Sequence, residues 1–378
     1  MRYRRSLRPL PAVACLLALA LAACGESPTA SQGLQEQSSE VADSAAKVYE
    51  RLNGLTGDER RQELVRLAEK EGALSIYTSN TDIDALIEEF EDTYDIDVSV
   101  YRGDSESVLQ RVLEESRASY YGNDVFETNA LELDIANKEG LLAPYESELR
   151  HKVRAEADAE NWVGTRLNVF VVSYNTDNVS GSELPESIEG FADPQWKGRI
   201  SMEVEDLDWF ATLQQQMVRE GMTEQEANDL FRRIAANAKV VKGHTVQAEL
   251  LAAGQFDVAL STYSHSVEEL EQDGAPVTWR TAGEEPIQPL VTRPNGIGLM
   301  RTATNPAAAT LFADFELQQG QEVFAEEYRI GAIPTESDPL DGLETLPVPT
   351  KELLAENEQW STLYEDVVQG GEVVATED

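Results

Sequence analysis

The feature that most constrains the fold of this chain is the order strand, polar turn, helix, which occurs three times in succession. Short apolar runs begin at Ala73, Val98 and Asp124, and each is followed by polar turn residues and then by an amphipathic segment. This alternation is typical of βαβ units and predicts a parallel sheet. Ligands of such sheets bind beyond the carboxyl ends of the strands, so we expect the turns to line a binding site.

The middle of the chain repeats this plan. Strands are predicted at 168–174, 199–204, 240–241 and 258–261, with turns and helices between them. Two α/β lobes with a cleft between them are the simplest architecture that accounts for both parts of the chain. One undivided sheet would contradict this architecture.

The N-terminus is predicted to be a targeting segment rather than part of the fold. Four arginines precede an apolar run over residues 11–23, which is shorter than the ~20 residues that a membrane-spanning helix needs. The run ends in Leu21-Ala22-Ala23-Cys24, which resembles the lipobox of bacterial lipoproteins. We therefore expect lipidation of Cys24 after removal of a signal peptide; ordinary secretion with cleavage near the same position is the alternative.

Composition excludes several classes of protein. Only two Cys occur, and Cys15 lies in the predicted signal peptide, so the mature chain is expected to have neither a disulfide nor a Cys-based metal site. The net charge is −40, which argues against a nucleic-acid partner and against any membrane contact except through the lipid anchor. No EF-hand loop supports an array of calcium sites. We interpret the acid excess as a solvated surface.

Seven stretches, in order between residues 55 and 339, resemble one known family. They are LSIYTS at 74–79, VLQRVLEE at 108–115, DVFETN at 124–129, GLLAPY at 140–145, YNTD at 174–177, PQWKG at 194–198 and AATLFADF at 308–315 with Gly320-Gln321. Together they resemble the substrate-binding proteins of bacterial ABC importers, in the branch of ferric-iron-binding proteins. The resemblance implies a two-lobe periplasmic-binding-protein fold of type II, with a ligand cleft between lobes that are joined by two hinge crossings.

The chain is divided on this basis into a series of expected segments. They are a signal peptide at 1–23, a lipid-anchored flexible tether at 24–45, a helical lead-in at 46–72, a first lobe at 73–164 plus 291–339, and a second lobe at 165–290 plus 340–378.

The resemblance also implies a function. The protein is expected to be a monomer, lipid-anchored outside the cytoplasmic membrane, that captures a small ligand by lobe closure and delivers it to the transmembrane subunits of an ABC importer. No resident cofactor is expected, and ferric iron is the first candidate for the transported ligand.

Enzymatic activity is not expected, because the sequence has no phosphate-cradling glycine loop, no Gly-x-Ser-x-Gly elbow and no His-Glu-x-x-His motif. Two rival functions stay open. A secreted hydrolase that uses two carboxylates predicts turnover, whereas a purely adhesive surface lipoprotein predicts no ligand in the cleft.

The resemblance further implies a set of metal ligands. Ferric members hold iron with a His after the first strand, a Glu after the third strand and a Tyr pair ahead of the second hinge crossing. The matching positions here are Thr81, Asn129 and Tyr263-Ser264-His265, so Tyr263 and His265 are the predicted metal ligands. The anion site of the family, at a helix start, is replaced here by Glu205-Asp206-Leu207-Asp208, which would repel an anion.

The residues themselves leave other ligands open. An organic cation would fit Asp206, Asp208 and the ring of Trp209, although helix capping is the commoner use of Asp at this position. A carboxylate or phosphonate would fit Arg102, unless Arg102 forms a local ion pair. Further predicted contacts are His244, at a helix start where backbone N–H groups are free, and polar residues of the turns and hinge: Thr78, Ser79, Asn80, Asn129 and Arg293.

Overall fold

The structure, a computed structural model, describes residues 28–280 and 286–375 of the chain. The predicted signal peptide and Cys24 lie outside these ranges. No helix within them is both long enough and apolar enough to cross a bilayer.

The first part of the chain alternates helices and strands in the predicted order. Asp104 caps a helix by accepting a hydrogen bond from the backbone N–H of Ser107 at 2.8 Å, and Gly72, with φ of 68°, ends another. The elements are α1 (Pro28–Asn53), α2 (Gly57–Glu71), β1 (Ala73–Thr78), α3 (Ile83–Thr93), β2 (Asp97–Arg102), α4 (Ser105–Arg117), β3 (Val125–Asn129) and α5 (Ala130–Lys138).

The second part continues the alternation and adds a C-terminal group of helices. Its elements are β4 (Trp162–Asn175), β5 (Ile200–Glu203), α6 (Leu207–Arg219), α7 (Glu224–Ala235), β6 (Ala238–Val241), α8 (His244–Ala252), β7 (Val258–Tyr263), α9 (Ser264–Gln272), β8 (Val277–Thr278), β9 (Leu290–Leu299), α10 (Pro306–Glu316), α11 (Gly320–Glu326), β10 (Ile330–Gly331), β11 (Thr345–Pro347), α12 (Thr350–Ala355), α13 (Asn357–Val368) and β12 (Glu372–Ala375). Short 3-10 turns connect several of them.

The strands form two parallel triplets that two long strands join. β1 pairs in parallel with β2 and β3, and β5 pairs in parallel with β6 and β7. β4 and β9 run antiparallel to each other between the triplets, from Trp162 opposite Gly298 to Phe170 opposite Val291. The strands thus share one hydrogen-bonded path, β12-β6-β5-β7-β4-β9-β3-β1-β2. The path is divided as the two-lobe architecture requires, because among the described strands the two parallel triplets are joined only through the long crossing strands β4 and β9.

The two lobes are distinguished by their separate hydrophobic cores. One cluster packs the β1–β3 triplet against helices that include α3 and α10, around Phe90 and Phe312. Two other clusters cover the faces of the second triplet. β4 starts in the first cluster at Trp162 and ends in the second at Tyr174, so it crosses between the lobes, and β9 crosses back from Val291 to Ile297.

The close approach of the two crossing strands requires a glycine. A Cβ added at Gly296 on β9 would lie 2.2 Å from the carbonyl oxygen of Val163 on β4. Any other residue would therefore push the two strands apart.

Helix α1 contains part of the segment expected to be a flexible tether and continues into the predicted helical lead-in. α1 begins at Pro28, and its residue Ala45 is buried in the first core. Tyr49 of the same helix is also buried and donates a hydrogen bond from its hydroxyl to the carbonyl oxygen of Met300 at 3.0 Å. Apolar residues at helical spacing therefore attach the C-terminal part of α1 to the first lobe. The tether and the other segment boundaries stay predictions.

Candidate functional site

The carboxyl ends of β5 and β6 bring three chemically active side chains together. Glu203 is the last residue of β5 and lies opposite Val241, the last residue of β6. Asp206 follows Glu203 in the turn, and His244 begins α8 after β6. Possible ligand atoms of Glu203, Asp206 and His244 lie within 4.8 Å of one another. We call these three residues the triad.

Hydrogen bonds fix the triad in place. His244 Nε2 lies 2.8 Å from Asp206 Oδ1. Glu203 accepts from the backbone N–H of Gly243 at 2.9 Å and from that of Glu205 at 2.5 Å. Gly243 has φ of 93°, a conformation that favours glycine and that lets its N–H meet Glu203. Asp206 Oδ2 is buried and has no hydrogen-bond partner among the described residues.

The electrostatics of the triad suit a cation. Burial and the neighbouring Asp206 raise the pKa of Glu203 above its usual value. Burial alone would lower the pKa of His244, but Asp206 and Glu203 raise it overall. Asp206 thus makes Glu203 harder to ionise, and both carboxylates make the imidazole of His244 hold its proton, which is the behaviour of a site with excess negative charge.

Aromatic rings and an arginine border the triad. The ring of Tyr263, at the end of β7, stacks on that of His244 with 3.8 Å between centroids, and Phe170 contacts both rings edge-on. Arg293 on β9 donates one hydrogen bond to the Tyr263 hydroxyl and another to Asp208 Oδ2 at 2.7 Å. Burial, reinforced by nearby carboxylates, raises the pKa of the Tyr263 phenol despite Arg293.

The strand ends of the first lobe form a different arrangement. Thr78 at the end of β1 donates to Glu127 Oε2 at 2.6 Å, and Arg166 of β4 donates to Glu127 Oε1 at 2.5 Å. Thr78 Oγ1 also accepts from the backbone N–H of Asn80 at 2.8 Å, and Ser79 Oγ lies 3.0 Å from Thr128 Oγ1. The side chains of Thr78 and Ser79 are therefore engaged with the protein itself, whereas Asn80 keeps a buried Nδ2 without a partner among the described residues.

Asn129 lies at the hinge. Its Oδ1 accepts hydrogen bonds from Asn168 of β4 at 3.2 Å and from Asn295 of β9 at 3.0 Å, while its Nδ2 donates to Ser105 at 2.6 Å. These contacts tie both crossing strands to the first lobe.

Trp209 and Arg102 take no part in the contacts of the triad described above. Trp209 is 3% exposed and packs edge-on against Phe231 in the second core, and the contact of its ring face with an organic cation stays a prediction. Arg102 is exposed, and none of the ion pairs among the described residues includes it, because its neighbour Asp104 caps α4 instead.

His265 is buried with its ring centroid 5.5 Å from that of Tyr263. Burial and the charges of Arg329 and Arg166 lower the pKa of His265 far below its usual value. These two nearby cations make the surroundings of His265 less favourable for a metal ion than those of the triad, and its role as a metal ligand stays a prediction. Thr81, at the position of the family's His, accepts a hydrogen bond from Arg329 at 3.0 Å.

Sequence reasoning missed Glu203, Arg166 and Glu132. The strand predicted at 199–204 includes Glu203, and its place just before an acidic turn is a usable signal. Arg166 belongs to a strand, and only its pairing with Glu127 reveals its role. Glu132, in the first turn of α5, has a buried oxygen without a partner among the described residues, and burial raises its pKa to about 7.

Comparison with known proteins identifies the family. Residues 121–341 match the family described as bacterial extracellular solute-binding protein. Iron uptake protein A1 of Synechocystis sp. (strain ATCC 27184 / PCC 6803 / Kazusa) is 23% identical over 275 residues, which cover 66% of this chain and 72% of that protein.

Two solved structures share the fold. Iron-bound HitA from Pseudomonas aeruginosa matches with a TM-score of 0.64 and 21% identity, over 78% of this chain and 99% of that chain. The periplasmic binding protein AfuA from Actinobacillus pleuropneumoniae, with fructose-6-phosphate bound, matches with a TM-score of 0.67 and 20% identity, over 79% and 99%. The predicted α/β periplasmic-binding-protein fold, the resemblance to importer substrate-binding proteins and the predicted solute-binding function are confirmed. This chain belongs to the family of bacterial extracellular solute-binding proteins.

Proposed function

We propose that this protein is a lipoprotein, anchored at Cys24 outside the cytoplasmic membrane, that captures ferric iron between its lobes and delivers it to the transmembrane subunits of an ABC importer. It acts as a monomer and catalyses no reaction. The observation that carries the proposal is the buried group of carboxylates, imidazole and phenol at the strand ends of the second lobe.

The charges of the cleft favour a cation over an anion. Three buried arginines lie near the proposed cleft, and each is already paired with a carboxylate. The pairs are Arg166 with Glu127, Arg293 with Asp208 and Arg329 with Asp82. A ligand carboxylate or phosphonate would have to displace one of these buried pairs, which is unfavourable because the freed acid would be left uncompensated.

The aromatic groups favour a metal ion over an organic cation. An organic cation needs an open ring face. Here the ring of His244 covers one face of the Tyr263 ring, and Phe170 packs against Tyr263 in a T-shaped contact. Trp209 is buried in the core. Carboxylate and phenol oxygens are hard donors that suit small, highly charged metal ions. The names of the relatives agree, since one is an iron uptake protein and one solved structure is iron-bound.

Iron binding is tested on the mature chain after treatment with a chelator. Ferric citrate is added while the visible spectrum and the melting temperature are followed together. We expect a phenolate-to-iron absorption band and a stabilisation of roughly 2.7 kcal/mol at a ligand concentration about 100 times Kd. Tyr263→Phe should lose the band, whereas Tyr120→Phe, which changes an exposed tyrosine, should keep it. Absence of both band and stabilisation in the unaltered protein would overturn iron as the cargo.

The anchor is tested separately by cell fractionation. The unaltered protein should stay with the membrane, and Cys24→Ser should be released or retain its signal peptide.

Iron that is recovered unchanged and in an amount equal to that of the protein would distinguish capture from the turnover that a secreted hydrolase predicts.

A further inference from the structure

We infer that Glu203, Asp206 and His244 form the primary metal site of this protein, which takes a first-row transition-metal ion of charge 2+ or 3+. The inference deepens the proposed function, on which it rests, because it names the residues that hold the cargo. In this arrangement the second lobe supplies all three side chains, and His265 supplies none.

The spacing of the triad fits one metal ion. Carboxylate oxygens and imidazole nitrogens bind such ions at ~2.0–2.2 Å, so two ligands of one ion lie at most about 4.4 Å apart. The possible ligand atoms of the triad lie within 4.8 Å of one another. Side-chain rotations that move these atoms by a few tenths of an ångström would bring all three side chains into a single coordination sphere.

A second observation points to a ligand independently of this spacing. Asp206 is 1% exposed, and its Oδ2 has no hydrogen-bond partner among the described residues. A buried carboxylate oxygen without a donor is unfavourable. The single contact with His244 engages Oδ1 and leaves Oδ2 without a hydrogen-bond donor. The neighbouring Glu203 places a second carboxylate beside Asp206, so a bound cation would offset the burial of both.

The surroundings hold the triad in a preformed arrangement. Backbone N–H groups of Gly243 and Glu205 orient the carboxylate of Glu203. The ring of Tyr263, stacked at an interplanar angle of 13°, fixes the plane of the imidazole of His244. Such supporting contacts are typical of metal sites, where they orient the ligands and raise the affinity.

The donor set limits the class of metal. Imidazole suits iron, zinc, nickel and copper, whereas calcium and magnesium prefer oxygen ligands alone. Two carboxylates with one imidazole therefore favour a transition metal over calcium, even though the surface of this protein is strongly acidic.

The test uses Co²⁺ as a probe, because its visible absorption reports binding without a phenolate. Co²⁺ is titrated into the chelator-treated mature chain in excess Ca²⁺, which occupies non-specific acidic sites. We expect one tightly bound Co²⁺ per chain. Asp206→Asn and His244→Gln should each weaken its binding by at least about 100-fold, which is the upper range for loss of a supporting contact alone.

Matched controls separate the triad from its surroundings. Glu224→Gln removes an exposed carboxylate in the first turn of α7 and should leave Co²⁺ affinity within about twofold, as expected for a change outside the ligands. Circular dichroism and thermal melting without metal show whether each variant is folded, and the two ligand variants serve as checks on each other. No Co²⁺ binding by the unaltered protein, or unchanged binding by both folded ligand variants, would overturn the inference.

The iron assignment and the triad can fail separately. Co²⁺ binding that depends on the triad, without a ferric band, would overturn iron as cargo but support the triad. A ferric band that depends on Tyr263 and survives both Asp206→Asn and His244→Gln would support iron and overturn the triad.

Discussion

The strand ends of the two lobes occupy equivalent positions in the fold but differ in how their polar groups are used. In the first lobe, both oxygens of Glu127 are engaged, one by Arg166 and the other by Thr78. In the second lobe, Asp206 keeps a buried oxygen without a partner among the described residues, and the adjacent Glu203 is a second acid rather than a base.

This difference separates a structural role from a binding role. Buried polar groups are normally paired, so a carboxylate such as that of Glu127, with one oxygen paired with Arg166 and the other with Thr78, contributes to stability. A set of like-charged groups that keeps free lone pairs is a feature of binding sites, where a ligand completes the pairing. Substitutions in the first lobe should therefore affect stability, and those in the second lobe should affect binding.

The largest expected effect is that of Arg166→Met. It leaves Glu127 buried without its counter-ion, so the free energy of unfolding should fall by about 3–5 kcal/mol. Arg232→Met, which breaks exposed ion pairs with Asp229 and Asp366, should cost no more than about 1 kcal/mol. Urea denaturation of both variants measures the contrast. A small loss for Arg166→Met would show that the first-lobe pairing is not structural.

The next effect depends on pH and involves Glu316. This residue is fully buried in α10, and burial together with the charge of Glu127 raises its pKa above the usual value. Its folded state holds a proton that the unfolded state releases, so its contribution to stability is present at low pH and is lost as pH rises through the raised pKa. Glu316→Gln should remove this loss, which makes the variant more stable than the unaltered protein by about 2 kcal/mol near pH 9 and by much less near pH 6.

Denaturation at the two pH values measures this difference, with the exposed Glu322→Gln as the control. Equal stability differences at both pH values would show that Glu316 is ionised in the folded protein, and the charge balance of the first lobe would then need another explanation.

A smaller loss is expected for Thr78→Val. The variant cannot donate to Glu127 or accept from Asn80, so we expect destabilisation of about 1–2 kcal/mol. Co²⁺ binding should stay within about twofold of the unaltered protein, because both lost hydrogen bonds belong to the first lobe and the triad stays intact. A large loss of metal affinity would indicate that the first lobe supplies a ligand.

The smallest effect on stability is expected for Asp206→Asn without metal. The change removes an ion pair with His244 but also removes a buried charge next to Glu203. These contributions oppose each other, so the free energy of unfolding should change by no more than about 1 kcal/mol. Thermal melting in chelator measures it. A loss comparable to that of Arg166→Met would place Asp206 in the structural class and erase the contrast between the lobes.

Much of the fold could be predicted because its signals are local. Apolar runs, helix caps and turn residues gave the strands and helices of both triplets, and strand ends with polar turns gave the general place of the site. The exact ligand set could not be predicted in this way. Trp209 and His265 both lie at the start of helices near strand ends, yet one packs in the core and the other faces Arg329 and Arg166.

The sequence by itself determined the alternating α/β order, the absence of a Cys-based site in the predicted mature chain, the acidic character and the resemblance to solute-binding proteins. Only the tertiary structure decided which polar strand ends are paired. The partners come from the crossing strands: Arg166 reaches Glu127 from 39 residues away, and Arg293 reaches Asp208 from 85. Local sequence patterns carry no information on such distant pairings, because charge compensation in a buried site depends on what the fold brings within a few ångströms.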